Sequence, residues 1–256
     1  MPTITRFNVT PVKSTRLHHP EAIRFETHGV SGDRDFFPIT EDGRLFAGSK
    51  FGPLVRIEAD HDEVRDTLRL RFPDGIDVEG PGAGDGDAIQ VNFYGRNVPA
   101  HVVEGPWTEP LSRYAGHDLR LARVDRPGDG NDVRPITLVS LASVDELARR
   151  GGSETALDPR RFRMTFEMDG IGAHEEDTWD GRRIRVGHAV LLVESQVPRC
   201  VVTTQDPNTG LRDFPTLKVI KSYRGVTGGN EQLFGMYASV LEPGQARLGD
   251  PVELLT

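Results

Sequence analysis

The sequence predicts a mainly β protein of the α+β class, built from barrels or curled sheets with a few short helices. Three observations predict it. Apolar and polar residues alternate with period two in several short segments, the signature of strands with one buried face. The 28 glycines and 18 prolines supply frequent turns between those segments. Helix signals are confined to two stretches of modest length.

Taken in chain order, Phe7 and Val9 mark a first strand that Pro11 breaks, leaving Lys13 and Ser14 on the following loop. Leu68, Leu70 and Phe72 alternate with arginines, and Ile89, Val91 and Phe93 alternate with polar residues. Between them, Gly80–Gly86 is glycine-rich and precedes a strand rather than a helix, so it is expected to be a hairpin loop and not a nucleotide loop. Thr108 is placed to cap a short helix that Gly116 stops. Leu119 and Leu121 alternate again, and Asp125–Asp132 is polar and rich in helix and strand breakers, as a linker would be. Ser143 and Glu146 have capping-box spacing for a helix ending at Gly151 and Gly152. Ile184 and Val186 form another alternating strand. Ala189–Val193 is an apolar run of buried-strand length, and Asp206–Gly210 is a turn by its chemistry.

Composition bounds the function. A chain of 256 residues can bury a core without cross-links. Its mean hydropathy is -0.43, and no apolar run approaches the roughly 20 residues that span a bilayer. The residues after Met1 lack the basic and apolar regions of a signal peptide, so the expectation is a cytoplasmic protein with no membrane partner. A net charge of -8 argues against nucleic acid as a partner, although a local basic pocket remains compatible with it. The single cysteine, Cys200, excludes an internal disulfide, a CxxC zinc site and an intrinsic iron–sulfur cluster.

Cys200 stands between an apolar strand and a turn, with Arg199 beside it. A neighbouring cation favours the thiolate, the form that binds metals and attacks electrophiles. From these residues alone, a buried small side chain and a nucleophilic Cys–His site both stay open.

Pro198-Arg199-Cys200 followed by Thr203-Thr204-Gln205-Asp206-Pro207-Asn208-Thr209-Gly210 resembles the core of MOSC domains. Within that family it is most similar to the mitochondrial amidoxime-reducing components and their bacterial relatives. The resemblance continues in Leu217-Lys218, Ser222-Tyr223-Arg224, Leu233–Tyr237 and Gly249–Val252. Pro11–Ser14, His28–Arg34 and Glu41–Arg44 resemble the N-terminal β-barrel module of the same family.

The resemblance implies a β-barrel-like module over residues 1–124 and a MOSC domain over residues 125–256. It implies a molybdenum–molybdopterin cofactor whose metal is ligated by Cys200, which is then also the catalytic position. Lys13, Ser14, Arg34, Ser140, Arg163, Arg199 and Tyr237 are the implied cofactor contacts, with Asp206 and Thr165 as possible substrate or supporting groups. Thr165 stands where relatives carry asparagine, and Arg161 and Met164 also depart from the family pattern around Arg163. The implied activity is reduction of small N-hydroxylated or N-oxygenated molecules. Electrons would come from a separate ferredoxin-, flavodoxin- or cytochrome b5-type protein with its reductase, since the chain has no cysteines for a cluster of its own. The alternative is a cofactor carrier or a persulfide-transferring protein acting through Cys200.

Overall fold

A computed structural model describes residues 1–255. The N-terminal half contains β1 (Thr3–Phe7), β2 (Ala22–Glu26), β3 (Gly29–Val30), β4 (Phe36–Thr40), β5 (Glu58–Asp62), β6 (Thr67–Arg71), β7 (Asp77–Pro81), β8 (Ala88–Phe93), β9 (Arg96–Val103), α1 (Thr108–Ala115) and β10 (Leu119–Val124). The C-terminal half contains β11 (Ile136–Ser140), α2 (Leu141–Arg150), β12 (Phe166–Asp169), β13 (Arg183–Val186), β14 (Ala189–Arg199), α3 (Thr216–Arg224), β15 (Gln232–Glu242), β16 (Gly244–Arg247) and β17 (Val252–Leu254). The chain is mainly β, and each alternating segment forms a strand.

The largest sheet runs β1-β12-β11-β15-β14-β13-β17. Only the β11–β12 pair is parallel. Its two ends meet: Thr3 bridges Pro251, Ile4 N donates to Asp250 O at 3.0 Å, and Val252 N donates to Pro2 O at 2.8 Å. The sheet is therefore a nearly closed barrel, which leaves few free edges. Phe7, Phe166, Leu138, Leu191, Met236 and Val252 are among the residues filling its interior. Helices α2 and α3 cover the outside of β11 and β15 through Leu147, Ile220, Val139 and Phe234. No helix of the described residues is long and apolar enough to cross a membrane.

A second body consists of the sheets β4-β10-β9-β8 and β5-β6-β7. Phe36 and Leu121 pack on one side with Leu68 and Trp107, while Phe37 and Ala122 pack on the other with Val91 and Phe93. The first strands do not stay with this body. β1 pairs with β12, and β2 pairs with β16. Residues 8–15 then cross over. Asn8 N donates to Thr165 O at 2.9 Å, while Lys13 N donates to Phe36 O at 2.7 Å. This crossing segment carries Lys13 and Ser14 to the seam between the bodies.

Several local expectations are corrected. Gly80–Gly86 joins β7 to β8, which belong to different sheets, so it is a crossover and not a hairpin loop. Helix α2 begins at Leu141, with Ser140 at its cap position and no side-chain cap. Ser143 does not form a capping box with Glu146. Its hydroxyl donates to Glu176 Oε1 at 2.6 Å, and Glu146 instead binds Arg149 and Arg150. The short 3-10 helix Glu175–Trp179 holds the buried Glu176 and Trp179.

Candidate active site

Cys200 immediately follows β14. The ladder to β15 holds Arg199 opposite Gln232, and Val201–Thr204 then turn as a short 3-10 helix. Thr203 donates to the Cys200 carbonyl through its amide at 3.2 Å and its hydroxyl at 2.9 Å, fixing the backbone there. The thiol-bearing side chain is exposed. It lines a cavity of about 140 Å³ at the seam, together with Lys13, Ser14, Arg34, Arg163, Thr165, Arg199 and Tyr237. These residues are up to 224 positions apart in the chain, from Lys13 to Tyr237.

The guanidinium groups are held from behind. Arg199 Nη2 donates to Phe162 O, Nη1 lies 3.6 Å from Met164 Sδ, and the group sits over the Phe162 ring at 5.3 Å. Its buried Nε has no partner. Arg163 Nη2 donates to Thr15 O at 2.8 Å, and Arg34 Nη2 donates to the Arg163 carbonyl at 3.0 Å. Arg34 also pairs with the Asp33 carboxylate. Burial, followed by repulsion from Arg34, pulls Arg163 down to about 9. Burial also lowers Arg199, against the opposing influence of Cys200. Among the described residues, neither Arg163 nor Arg199 has a carboxylate within ion-pair distance. Asp33 and Asp132 act on these arginines only from beyond contact distance, and partly buried cations with no carboxylate in contact are costly, so this arrangement is one that an anion would complete.

Lys13 is more fully engaged. Its ammonium donates to Gly130 O at 3.0 Å and Asp132 Oδ1 at 2.6 Å, and it lies 5.3 Å from the Phe93 ring centroid. Ser14 Oγ accepts from Gly48 N at 2.9 Å. Tyr237 is buried on β15 opposite Thr137; burial, with Asp132 adding, pushes its phenol up to about 12. Thr165 and Thr137 exchange bonds: Thr137 N donates to Thr165 Oγ1 at 3.1 Å, and Thr165 N to Thr137 Oγ1 at 2.9 Å.

Two expected residues lie elsewhere. Ser140 is fully buried at the start of α2 and does not line the cavity. Asp206 also stays outside it, because its carboxylate is used locally: Oδ1 accepts from Asn208 N at 3.0 Å and Thr209 N at 2.8 Å. Conversely, the cavity includes Tyr94, Asn131, Asp132, Arg134 and Arg161, which sequence patterns did not single out as contacts. Asn131 and Asp132 belong to the segment read as a linker. It does connect β10 to β11, yet it also forms a wall of the site.

Backbone strain concentrates here as well. Seven non-glycine residues among those described have positive φ, and four of them line the cavity: Ser14, Arg34, Tyr94 and Arg163. Such conformations cost about 1–3 kcal/mol each and persist where the surroundings over-determine them, commonly at functional sites.

A two-body β protein with a cationic, cysteine-bearing cleft at the seam is the class this geometry defines. Residues 125–253 match the MOSC domain and residues 1–104 match the MOSC N-terminal beta barrel domain. The chain belongs to the MOSC family. The bovine (Bos taurus) protein named mitochondrial amidoxime reducing component 2 is 27% identical, over 98% of this chain and 82% of its own length. The rat (Rattus norvegicus) protein of the same name is 38% identical, over 70% of this chain and 54% of its own length. A solved structure of the YUAD protein from Bacillus subtilis aligns over 99% of this chain and 96% of its own, with 16% identity and a TM-score of 0.46.

Proposed function

We propose that this chain is a molybdenum-cofactor oxidoreductase that reduces small N-hydroxylated or N-oxygenated compounds. The observation that carries the reading is the exposed Cys200 thiol beside two partly buried guanidinium groups, Arg163 and Arg199, that lack a carboxylate in contact. Thiolate suits soft metal–sulfur centres. Among the described residues no group of three or more His, Cys, Asp or Glu side chains could hold a metal ion. Cys200 therefore suits a metal whose remaining ligands arrive with a chelating cofactor. The free Nε of Arg199 and the unpaired charge of Arg163 suit that cofactor's anionic groups, as do Lys13, Ser14, Arg34 and Tyr237 around them.

When bound, the cofactor supplies the two-electron reduction that turns N–OH and two protons into N–H and water. The chain's own residues bind and orient. The arginines hold negative charge, and Tyr237, held protonated, can donate a hydrogen bond into the cavity. Electrons come from a separate ferredoxin-, flavodoxin- or cytochrome b5-type partner with its reductase, and the reaction takes place in the cytoplasm.

Reconstituted wild type is expected to retain molybdenum and to reduce an N-hydroxylated amidine with a chemically reduced viologen as donor. Cys200→Ala is expected to lose both. Equal molybdenum in the two proteins would sink the assignment. Metal retention without N-reduction, or a persulfide trapped on Cys200 by alkylation, would favour the carrier or sulfur-transfer reading, for which the thiol's exposure is the supporting observation.

A further inference from the structure

We propose that Tyr94 is a substrate-positioning residue, an aromatic platform on a fixed turn at the cleft on which a planar amidine or N-hydroxyamidine stacks. The substrate class rests on the reading above; the platform itself rests on geometry.

Strands β8 and β9 pair through Phe93 and Arg96, leaving Tyr94 and Gly95 as a two-residue turn. Both have positive φ, 51° and 98°. Such turns favour asparagine or glycine at the first position, and an aromatic residue there is an outlier. The tip is nevertheless held firmly. Phe93 is buried edge-on against Phe37 at 4.9 Å. Arg96 donates to the carbonyls of Asp129 and Asn131, both at 2.6 Å, tying the turn to the segment that brings Asp132 to the site. A strained residue on a fixed support holds its Cα–Cβ bond in one direction, toward the cavity that the side chain lines.

That side chain is 65% exposed, lines the same cavity as Cys200, and makes no hydrogen bond through its hydroxyl among the described residues. It contributes little to the core, so packing does not explain the strain. The ring thus offers an apolar face at the wall of the cleft. The flat face of an amidine or N-hydroxyamidine, and above all an aromatic substituent on it, matches that surface through stacking.

The test uses the reconstituted protein with Tyr94→Phe and Tyr94→Asn, the latter suited to a positive φ. Binding of benzamidine and acetamidine is measured by calorimetry, and KM and kcat are measured for the corresponding N-hydroxyamidines. Tyr94→Asn is expected to weaken benzamidine binding and raise the aromatic KM by roughly 3- to 10-fold with kcat unchanged. Tyr94→Phe is expected to retain wild-type values, and acetamidine to respond less. Unchanged benzamidine affinity in Tyr94→Asn would overturn the proposal. So would a defect seen only with a protein electron donor, which would place Tyr94 at the donor interface. The calorimetric arm reads out whether or not turnover occurs, so it separates failure of this assignment from failure of the redox reading.

Discussion

Lys13 Nζ stands 2.6 Å from Asp132 Oδ1, joining the crossing segment to the loop before β11 at the wall of the cleft. The pair is asymmetric: the lysine side chain is 9% exposed and the carboxylate 51%. Burial alone would raise the Asp132 carboxyl, but Lys13, then Arg34 and Arg199, outweigh it and hold it below the usual carboxylate range. Any anion that engages Lys13 must therefore compete with Asp132. Asp132→Asn is expected to tighten binding of inorganic phosphate by about 3- to 10-fold, the scale of a partly exposed ion pair. Lys13→Met is expected to weaken it. Calorimetry at low ionic strength checks both; phosphate affinity indifferent to residue 132 would rule the competition out.

Cys200→Ser separates function from stability. The side chain is exposed and makes no packing contribution to the core, so the melting midpoint should shift by no more than about 0.5 kcal/mol equivalent. Molybdenum retention should nevertheless fall by an order of magnitude or more. A variant that unfolds early would show that the sulfur has a structural role which its exposure does not suggest.

The strands were legible because alternation reports which face of a strand is buried. Leu68 and Leu70, Val91 and Phe93, and Ile184 and Val186 all point inward as their spacing requires. Strand partners were not legible, because periodicity carries no record of which strand lies alongside. Hence β1 and β2 join strands more than a hundred residues away, and Gly80–Gly86 crosses between sheets. The α2 start departs from local spacing for a related reason: Glu176, 33 positions from Ser143, takes the hydroxyl that a capping box would use. At the site, Lys13, Arg34, Arg163 and Cys200 were reached through family resemblance rather than pattern. Asp132 was hidden in a breaker-rich segment, and Tyr94 in a turn whose unusual φ no composition reveals.

Arg161 illustrates a departure from the family pattern with a structural explanation. Its guanidinium is buried and doubly bonded to Asp213, at 3.0 and 2.9 Å, with a further bond to Thr203 O at 3.3 Å. It therefore ties the segment before Arg163 to the turn after Cys200. Arg161→Met should cost about 2 kcal/mol, because Asp213 loses its two side-chain bonds and regains only some water, while Thr203 O keeps the Thr216 hydroxyl as donor at 2.6 Å. Chemical denaturation measures this, and a neutral substitution would contradict it.

Gly210, at the end of the Asp206 turn, meets Gly52 backbone to backbone. A Cβ on Gly210 would lie 2.1 Å from Gly52 C, and the residue also has φ +74°. Neither backbone can retreat easily, since Gln205 Nε2 donates to Gly48 O at 3.0 Å nearby. Gly210→Ala is expected to destabilise by about 3 kcal/mol or more and to disturb the seam between the two bodies. A drop in melting midpoint of several degrees accompanied by loss of phosphate binding is the expected result. An unchanged midpoint would mean that the two segments separate at little cost.

His174 sets a pH dependence whose sign can be worked out. Its Nε2 lies 3.1 Å from the Tyr223 hydroxyl, its Nδ1 is buried without a partner, and its ring packs edge-on to Phe234 at 5.5 Å. Desolvation, then repulsion from Arg224, lowers it from 6.5 to about 4. The folded protein therefore holds it neutral where the unfolded chain would protonate it. Above pH 6.5 neither state takes up the proton and stability is unaffected. Between pH 6.5 and 4 only the unfolded chain gains it, so stability falls as pH falls. Below pH 4 both states are protonated and the loss levels off. Glu176 acts in the opposite sense, because burial raises its carboxyl and acidification favours its folded form. The His174 contribution is isolated by comparing wild type with His174→Gln: the variant's melting midpoint should decline less steeply between pH 6.5 and 4, while the two curves run parallel above pH 7. Parallel curves across the whole range would show that His174 gains its proton as readily in the fold as in the unfolded chain.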